Sequence, residues 1–232
     1  MNPMGPLKRM SRPRSVTDRT YDRIKEAIVT NAFAPGQVLA AEPLARELGV
    51  SRTPVRDALL MLRNEGFVEG EAVRGKGMVV ADLRLADLDE LFELRFAIEA
   101  GALALVAKRG NPATLQRLRA DLERHREPSD DAAASAASLA DLAFHRGIVR
   151  ATGNAHFLRS WDQLATQLQR YWDAGRAIPG RAREDIEESL AIVDALIDGD
   201  VGTATERLAA HLANTQVGIT AWHRRPRDAA GT

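Results

Sequence analysis

Arg52 and Arg56 stand four residues apart in the run Ser51-Arg-Thr-Pro-Val-Arg-Asp-Ala-Leu-Leu-Met-Leu-Arg63. On a helix that spacing puts both guanidiniums on one face, with Thr53 beside them. A helix that reads DNA in the major groove is built this way, with polar residues exposed at its N-terminal end. A second pair, Asp141 and His145, has the same spacing, and His211 lies on what reads as the last helix. A carboxylate and two imidazoles turned into a helical bundle can bind a divalent metal. Arg95 and Glu99 make a third pair. It offers two compatible roles: a buried ion pair, or a bidentate clamp by Arg95 on the carboxylate of a small acid.

The first pair needs a helix with a fixed start. Ser51 offers a side-chain oxygen to the free amides of a first turn and is expected as the N-cap. Pro54 falls inside that turn, where its missing N–H loses no intrahelical partner. Val55, Leu59 and Leu62 form one apolar stripe, and the arginines lie off it. Upstream, the spacing predicts a helix from Thr17 to about Asn31, capped by Thr17 or Asp18, with Tyr21, Ile24, Ala27 and Ile28 inward. Ala34-Pro-Gly36 breaks the chain, Val38-Leu39 suits a short strand, and Glu42–Leu48 a second helix that Gly49 ends. Helix, tight glycine turn, then helix with a polar start is a helix-turn-helix. After Gly66 the period changes, and Phe67–Glu69 with Met78–Val80 predict a hairpin. Its tip carries Arg74, Gly75, Lys76 and Gly77. Directly after a helix-turn-helix it reads as a wing. Arg74 and Lys76 would meet phosphates or the minor groove, and Gly77 would let the backbone approach closely.

The other pairs need an apolar bundle around them. From Asp82 onwards the chain reads as helix throughout. Leu88, Leu91, Leu94, Ile98 and Leu103 give an inward stripe between Asp87 and Lys108. Further helices are predicted from Pro112 to about Glu127, through the Ala-rich stretch to about Thr152, and over 155–175. Two more cover Arg183–Ile197 and Thr203 to about Trp222. Short connections make neighbouring helices antiparallel.

Composition limits the alternatives. Cysteine is absent, which excludes a disulfide framework and thiolate metal sites. No run of about 18 apolar residues occurs, and the polar N-terminus lacks the core of a signal peptide, so a cytoplasmic protein without membrane contact is expected. Residues 1–80 hold 13 Lys and Arg against 9 Asp and Glu, within a chain of 32 against 32. The N-terminal part is therefore the basic half, the sign that DNA binding requires.

Residues 17–80 resemble the winged-helix domain of the GntR family of bacterial transcription regulators. The resemblance is carried by Leu44-Ala45, Glu47–Arg56, Ala58-Leu59, Leu62, Gly66-Phe67-Val68 and Gly75–Val80. It implies that Arg52 and Arg56 read base edges and that Gly77 sits near the minor groove. Some members carry a basic DNA contact on the second helix, where this chain has Glu42. The remainder resembles the ligand-sensing FCD-type helical domain of the FadR subfamily, on Leu91–Arg95 with Glu99, Asp141–His145, Gly153-Asn154, Ala195–Asp200 and Ala210–Leu212. Many members of that subfamily hold a metal with the Asp, the His four residues on, and two later His. The second of these matches His211, and the first falls on Ser189. Serine is a poor zinc ligand. The resemblance thus implies either a divalent metal (Zn, Ni or Mn) on Asp141, His145 and His211, or a polar pocket that meets the effector directly through Arg95, Asp141, His145, Ser189 and His211.

The expected protein is mainly α. It has a disordered basic tail (1–15), a winged helix-turn-helix of three helices plus a β-hairpin wing (16–81), an antiparallel bundle of six or seven helices (82–226) and a second disordered tail (227–232). By resemblance it is a homodimeric, effector-responsive DNA-binding regulator on a palindromic operator. The resemblance makes it a repressor of a catabolic operon, released by a small organic or sugar acid. Two alternatives belong to other classes: a metal-dependent hydrolase on the Asp/His site, separable by turnover assays, and a ligand-independent DNA-binding protein, separable by a thermal-shift screen of organic acids.

Overall fold

The computed structural model describes residues 14–70, 77–109, 111–171 and 181–224. The chain divides into two compact units, Met1–Asp82 and Leu83–Thr232.

The first unit contains α1 (Val16–Val29), β1 (Val38–Leu39), α2 (Ala41–Leu48), α3 (Arg52–Asn64), β2 (Val68–Glu69) and β3 (Met78–Val80). Ser15, expected in the tail, is the N-cap of α1. Its hydroxyl accepts from the Asp18 amide while the Asp18 carboxylate accepts from the Ser15 amide. This reciprocal box satisfies two free amide donors and replaces the expected Thr17 or Asp18 cap. Gly49 ends α2 with a left-handed φ of 64°. The strands form one antiparallel sheet in the order β1-β3-β2, with Val38 opposite Val79 and Val68 opposite Val80. The expected hairpin thus gains β1 as an outer strand. Ile24, Ile28, Leu39, Val55, Leu59, Leu62, Phe67 and Met78 are 2% exposed or less and form the core. Burying such a side chain contributes about 1.5–3 kcal/mol, which holds α3 to the unit by its apolar stripe. The Tyr21 hydroxyl donates to the Glu65 carboxylate at 2.7 Å, and Lys25 Nζ reaches Glu65 at 2.8 Å. These bonds tie α1 to the C-terminal end of α3.

The second unit contains six helices among the described residues: α4 (Leu85–Arg109), α5 (Pro112–Glu123), α6 (Asp131–Ala151), α7 (Ala155–Leu168), α8 (Ala182–Ile197) and α9 (Val201–His223). Side chains of Asn111, Asp130, Asn154 and Asp200 accept backbone amides at the starts of α5, α6, α7 and α9. These caps fix where the helices begin. No helix among the described residues is long and apolar enough to cross a membrane.

In helix α4, Leu88 and Leu103 are buried and Leu91 and Ile98 pack partly buried against the core, as expected, and one member of the stripe departs from it. Leu94 is 51% exposed. The buried face runs through Leu88, Phe92, Arg95, Glu99, Ala102, Leu103 and Val106. Both faces of α4 carry apolar side chains, and α6, α7 and α9 all pack on it. Periodicity alone therefore could not select the inner face. The face chosen carries two charges into the core.

Candidate functional site

The first candidate is the exposed face of α3. Ser51 occupies the N-cap position with extended φ and ψ, but its side chain makes no capping bond, contrary to expectation. Arg52, Thr53 and Arg56 are exposed, and the guanidiniums make no hydrogen bond or ion pair with a described residue. A cleft of about 350 Å³ lies between α3, the start of α2 and β3. Arg52, Arg56, Glu42 and Gly77 line it. Gly77 has a φ of +70°, and a Cβ there would lie 2.7 Å from the Leu39 carbonyl oxygen. Glycine at this position therefore lets β3 lie against β1, whatever else it does. Arg74, Gly75 and Lys76 lie outside the described residues.

The second candidate is a buried polar cluster to which five helices contribute. Asp141 and His145 come from α6, Ser189 from α8 and His211 from α9. His145 and His211 are 1% and 0% exposed. Their rings stack with centroids 4.9 Å apart, and their Nε2 atoms are 3.0 Å apart. Asp141 Oδ2 lies 3.6 Å from His145 Nε2 and 3.8 Å from His211 Nε2. The Ser189 hydroxyl donates to Asp141 Oδ1 at 2.6 Å. The structure thus brings together Asp141, His145, Ser189 and His211. Arg95 is adjacent to them through Glu99. Its Nε donates to Glu99 Oε1 at 2.7 Å, and both side chains are 3% exposed or less. Of the two roles weighed for Arg95, the ion pair is the one formed. A clamp on an acid would require that pair to open.

Both imidazoles are oriented from behind. Glu99 Oε2 lies 2.5 Å from His145 Nδ1. Glu188 Oε2 lies 2.9 Å from His211 Nδ1. A carboxylate behind each ring makes Nδ1 the donor, so both Nε2 lone pairs turn inward. Two lone pairs 3.0 Å apart repel unless a proton or a cation lies between them. Burial alone would lower the His145 pKa, but Glu99 and Asp141 outweigh it and raise it to about 9. Burial also opposes ionisation of Glu99 and Asp141. The neighbouring His145, with Arg95 for Glu99 and His211 for Asp141, holds both well below the usual carboxylate range. Asp185 goes the other way, pushed up to about 6 by burial and by Asp141 despite its Arg181 partner.

The donor set fits a divalent metal. The Asp141, His145 and His211 ligand atoms lie within 4.8 Å of one another, and each imidazole has the rear carboxylate that metal-binding histidines use. A second group of Asp185, Glu188 and His211 meets the same spacing. Glu188 also accepts from Arg181 and Asn214, so it serves the first site from behind. Sequence reasoning missed Glu188, Asp185, Arg181 and the Trp161 contact described below. Each becomes relevant only once α7, α8 and α9 are packed.

Compared with known proteins, residues 90–214 match the FCD domain, and residues 16–80 match the bacterial regulatory proteins of the gntR family. An uncharacterized HTH-type transcriptional regulator in an unstable DNA locus of Streptomyces ambofaciens is 30% identical over 83% of this chain and 80% of that protein. The gluconate operon transcriptional repressor of Bacillus licheniformis is 27% identical over 83% of this chain and 77% of that protein. Among solved structures, E. coli McbR/YncC has the same fold, with a TM-score of 0.69 at 22% identity, covering 91% of this chain and 100% of that one.

Proposed function

The chain belongs to the gntR family of bacterial regulatory proteins and carries an FCD domain; on that premise we propose that it is a repressor of a catabolic operon, released when a small organic or sugar acid binds the Asp141 cluster. DNA-binding transcriptional regulation is common to the family. The finer reading rests on one observation above all: two imidazoles and a carboxylate converge inside the bundle, each imidazole oriented by a rear carboxylate.

Arg52 and Arg56 would read base edges, with Thr53 and the Ser51 hydroxyl on nearby phosphates. The uncapped first turn of α3 supports the phosphate contacts, because its amides favour an anion. Arg74 and Lys76 would anchor the wing, and Gly77 brings the backbone close. Two copies in a homodimer would meet two halves of a palindrome.

In the bundle, Asp141, His145 and His211 would hold a divalent cation. When bound, that cation supplies the positive charge that draws a carboxylate into the site. Without it, the carboxylates of Glu99, Asp141 and Glu188, joined above about pH 6 by Asp185, match or exceed the guanidiniums of Arg95 and Arg181 and the His145 imidazolium. Such a balance does not attract an acid. The Ser189 hydroxyl, already donating to Asp141, is placed to turn a hydrogen bond towards the effector. The relative named for a gluconate operon supports an acid of this size and class. To release DNA, the acid must bind better to the DNA-incompetent arrangement than to the competent one.

Ser189 favours a second reading, in which the cluster meets the effector without metal. A thermal-shift screen of small organic and sugar acids, run on zinc-loaded and chelator-stripped protein, decides between them. Stabilisation by an acid only when zinc is present supports the first reading. Equal stabilisation in both forms supports the second, and no response to any acid contradicts both.

A further inference from the structure

Glu99 touches more of the cluster's surroundings than any pattern in the sequence suggested. Its Oε2 faces His145 Nδ1. Its Oε1 accepts from Arg95 Nε at 2.7 Å and from the indole Nε1 of Trp161 at 3.0 Å. Trp161 is 2% exposed, as are Arg95 and Glu99. One buried carboxylate therefore joins α4, α6 and α7, and every donor on it has a fixed direction. Arg95 and Trp161 hold Glu99 still, and Glu99 holds the His145 ring so that Nε2 turns to Asp141 and His211.

We infer that Glu99 is a positioning residue for the metal site, and that Trp161 reports optically on whether the site is filled. This inference rests on the proposed use of Asp141, His145 and His211 as metal ligands. A neutral amide at position 99 would accept from His145 more weakly and would release the ring to its other tautomer. The proton would then sit on Nε2, where the ligand lone pair belongs. Rear carboxylates of this kind alter metal affinity by roughly 10–100-fold. A cation on His145 Nε2 would polarise the ring, strengthen the bond from Nδ1 to Glu99 Oε2 and so alter the pull of Glu99 Oε1 on the indole N–H. The indole is a sensitive probe of such a hydrogen bond. A purely structural Glu99 would affect stability but would not link zinc affinity to the emission of a side chain on another helix.

The test uses the full chain with Trp172→Phe and Trp222→Phe, so that Trp161 is the only indole. Chelator-stripped protein is titrated with zinc and followed by calorimetry and by tryptophan emission. The expected result is a saturable change in Trp161 emission with the calorimetric midpoint, absent in Asp141→Asn. Glu99→Gln should weaken zinc binding by roughly 10–100-fold and uncouple the emission. Should Glu99→Gln fail to fold, Trp161→Phe replaces it, with a several-fold loss of zinc affinity expected from the freed Glu99. Zinc binding within twofold of the parent in Glu99→Gln, or in Trp161→Phe where that replaces it, overturns the inference. So does binding in the parent without an emission change. Failure of the parent protein to bind zinc at all overturns the metal reading itself, and the inference with it.

Discussion

The two units handle charge in opposite ways. In the first, Arg52 and Arg56 stand in solvent without a described partner, and the core beneath them is apolar. In the second, Arg95, Glu99, His145 and His211 are 2% exposed or less, and each is bonded to another member of the network. An exposed guanidinium costs the fold almost nothing, so its partner can lie outside the molecule. A buried one must be satisfied within the fold, because unpaired burial costs several kcal/mol. The first unit therefore presents its chemistry, whereas the second encloses it, and anything that enters must displace an existing bond.

Substitutions sharpen this contrast. Arg95→Ala should have the largest effect, about 3–5 kcal/mol in urea unfolding, because it leaves the Glu99 carboxylate buried without its guanidinium. A loss below 1 kcal/mol would contradict the enclosed network. Arg52→Ala or Arg56→Ala should alter unfolding by less than about 0.5 kcal/mol. Each should nevertheless lose about 1–3 kcal/mol of discrimination between operator and scrambled DNA in anisotropy titrations. Unchanged discrimination would remove those side chains from base reading.

The enclosed site should also respond to pH. The His145 pKa is raised to about 9 in the metal-free protein. The proton competes with a metal for the imidazole, so affinity should be lowest at acid pH and rise as pH increases towards 9. The expected slope is up to roughly tenfold per pH unit, for one displaced proton, and it should flatten above 9. A calorimetric zinc titration at several pH values measures it, and a flat profile would place the metal elsewhere. The smallest effect concerns Glu42, which lines the cleft beside Arg52 and Arg56. Glu42→Gln should tighten DNA binding a few-fold for operator and scrambled sequences alike, because a carboxylate near phosphates is repelled. A gain confined to the operator would instead make Glu42 a base reader.

Much of the first unit was legible in the sequence because its signals are local. Gly49 ending α2, the stripe of Val55, Leu59 and Leu62, and the exposed arginines all follow from spacing within one or two turns. Ser15, which forms the capping box with Asp18, is an equally local signal but falls in the stretch expected as tail. The second unit was legible as helices and as the pairs Asp141–His145 and Arg95–Glu99, again because i, i+4 neighbours share a face. The join between those pairs was not. His145 and Glu99 are 46 residues apart and meet only because α4 turns Phe92, Arg95 and Glu99 inward and Leu94 outward. Both faces of α4 are apolar enough to be buried, so the sequence alone left that rotation open. Glu188 behind His211 and Trp161 on Glu99 depend on the same long-range packing.

The central claim is that the enclosed cluster controls the presented arginines. The direct measurement is the affinity of zinc-loaded protein for an operator selected from random-sequence DNA, titrated with small organic and sugar acids. At least one acid should weaken binding by roughly 5–150-fold, the span of a 1–3 kcal/mol coupling, and Asp141→Asn should bind the operator but ignore that acid. Operator affinity indifferent to every acid, or an unaltered response in Asp141→Asn, would contradict the account.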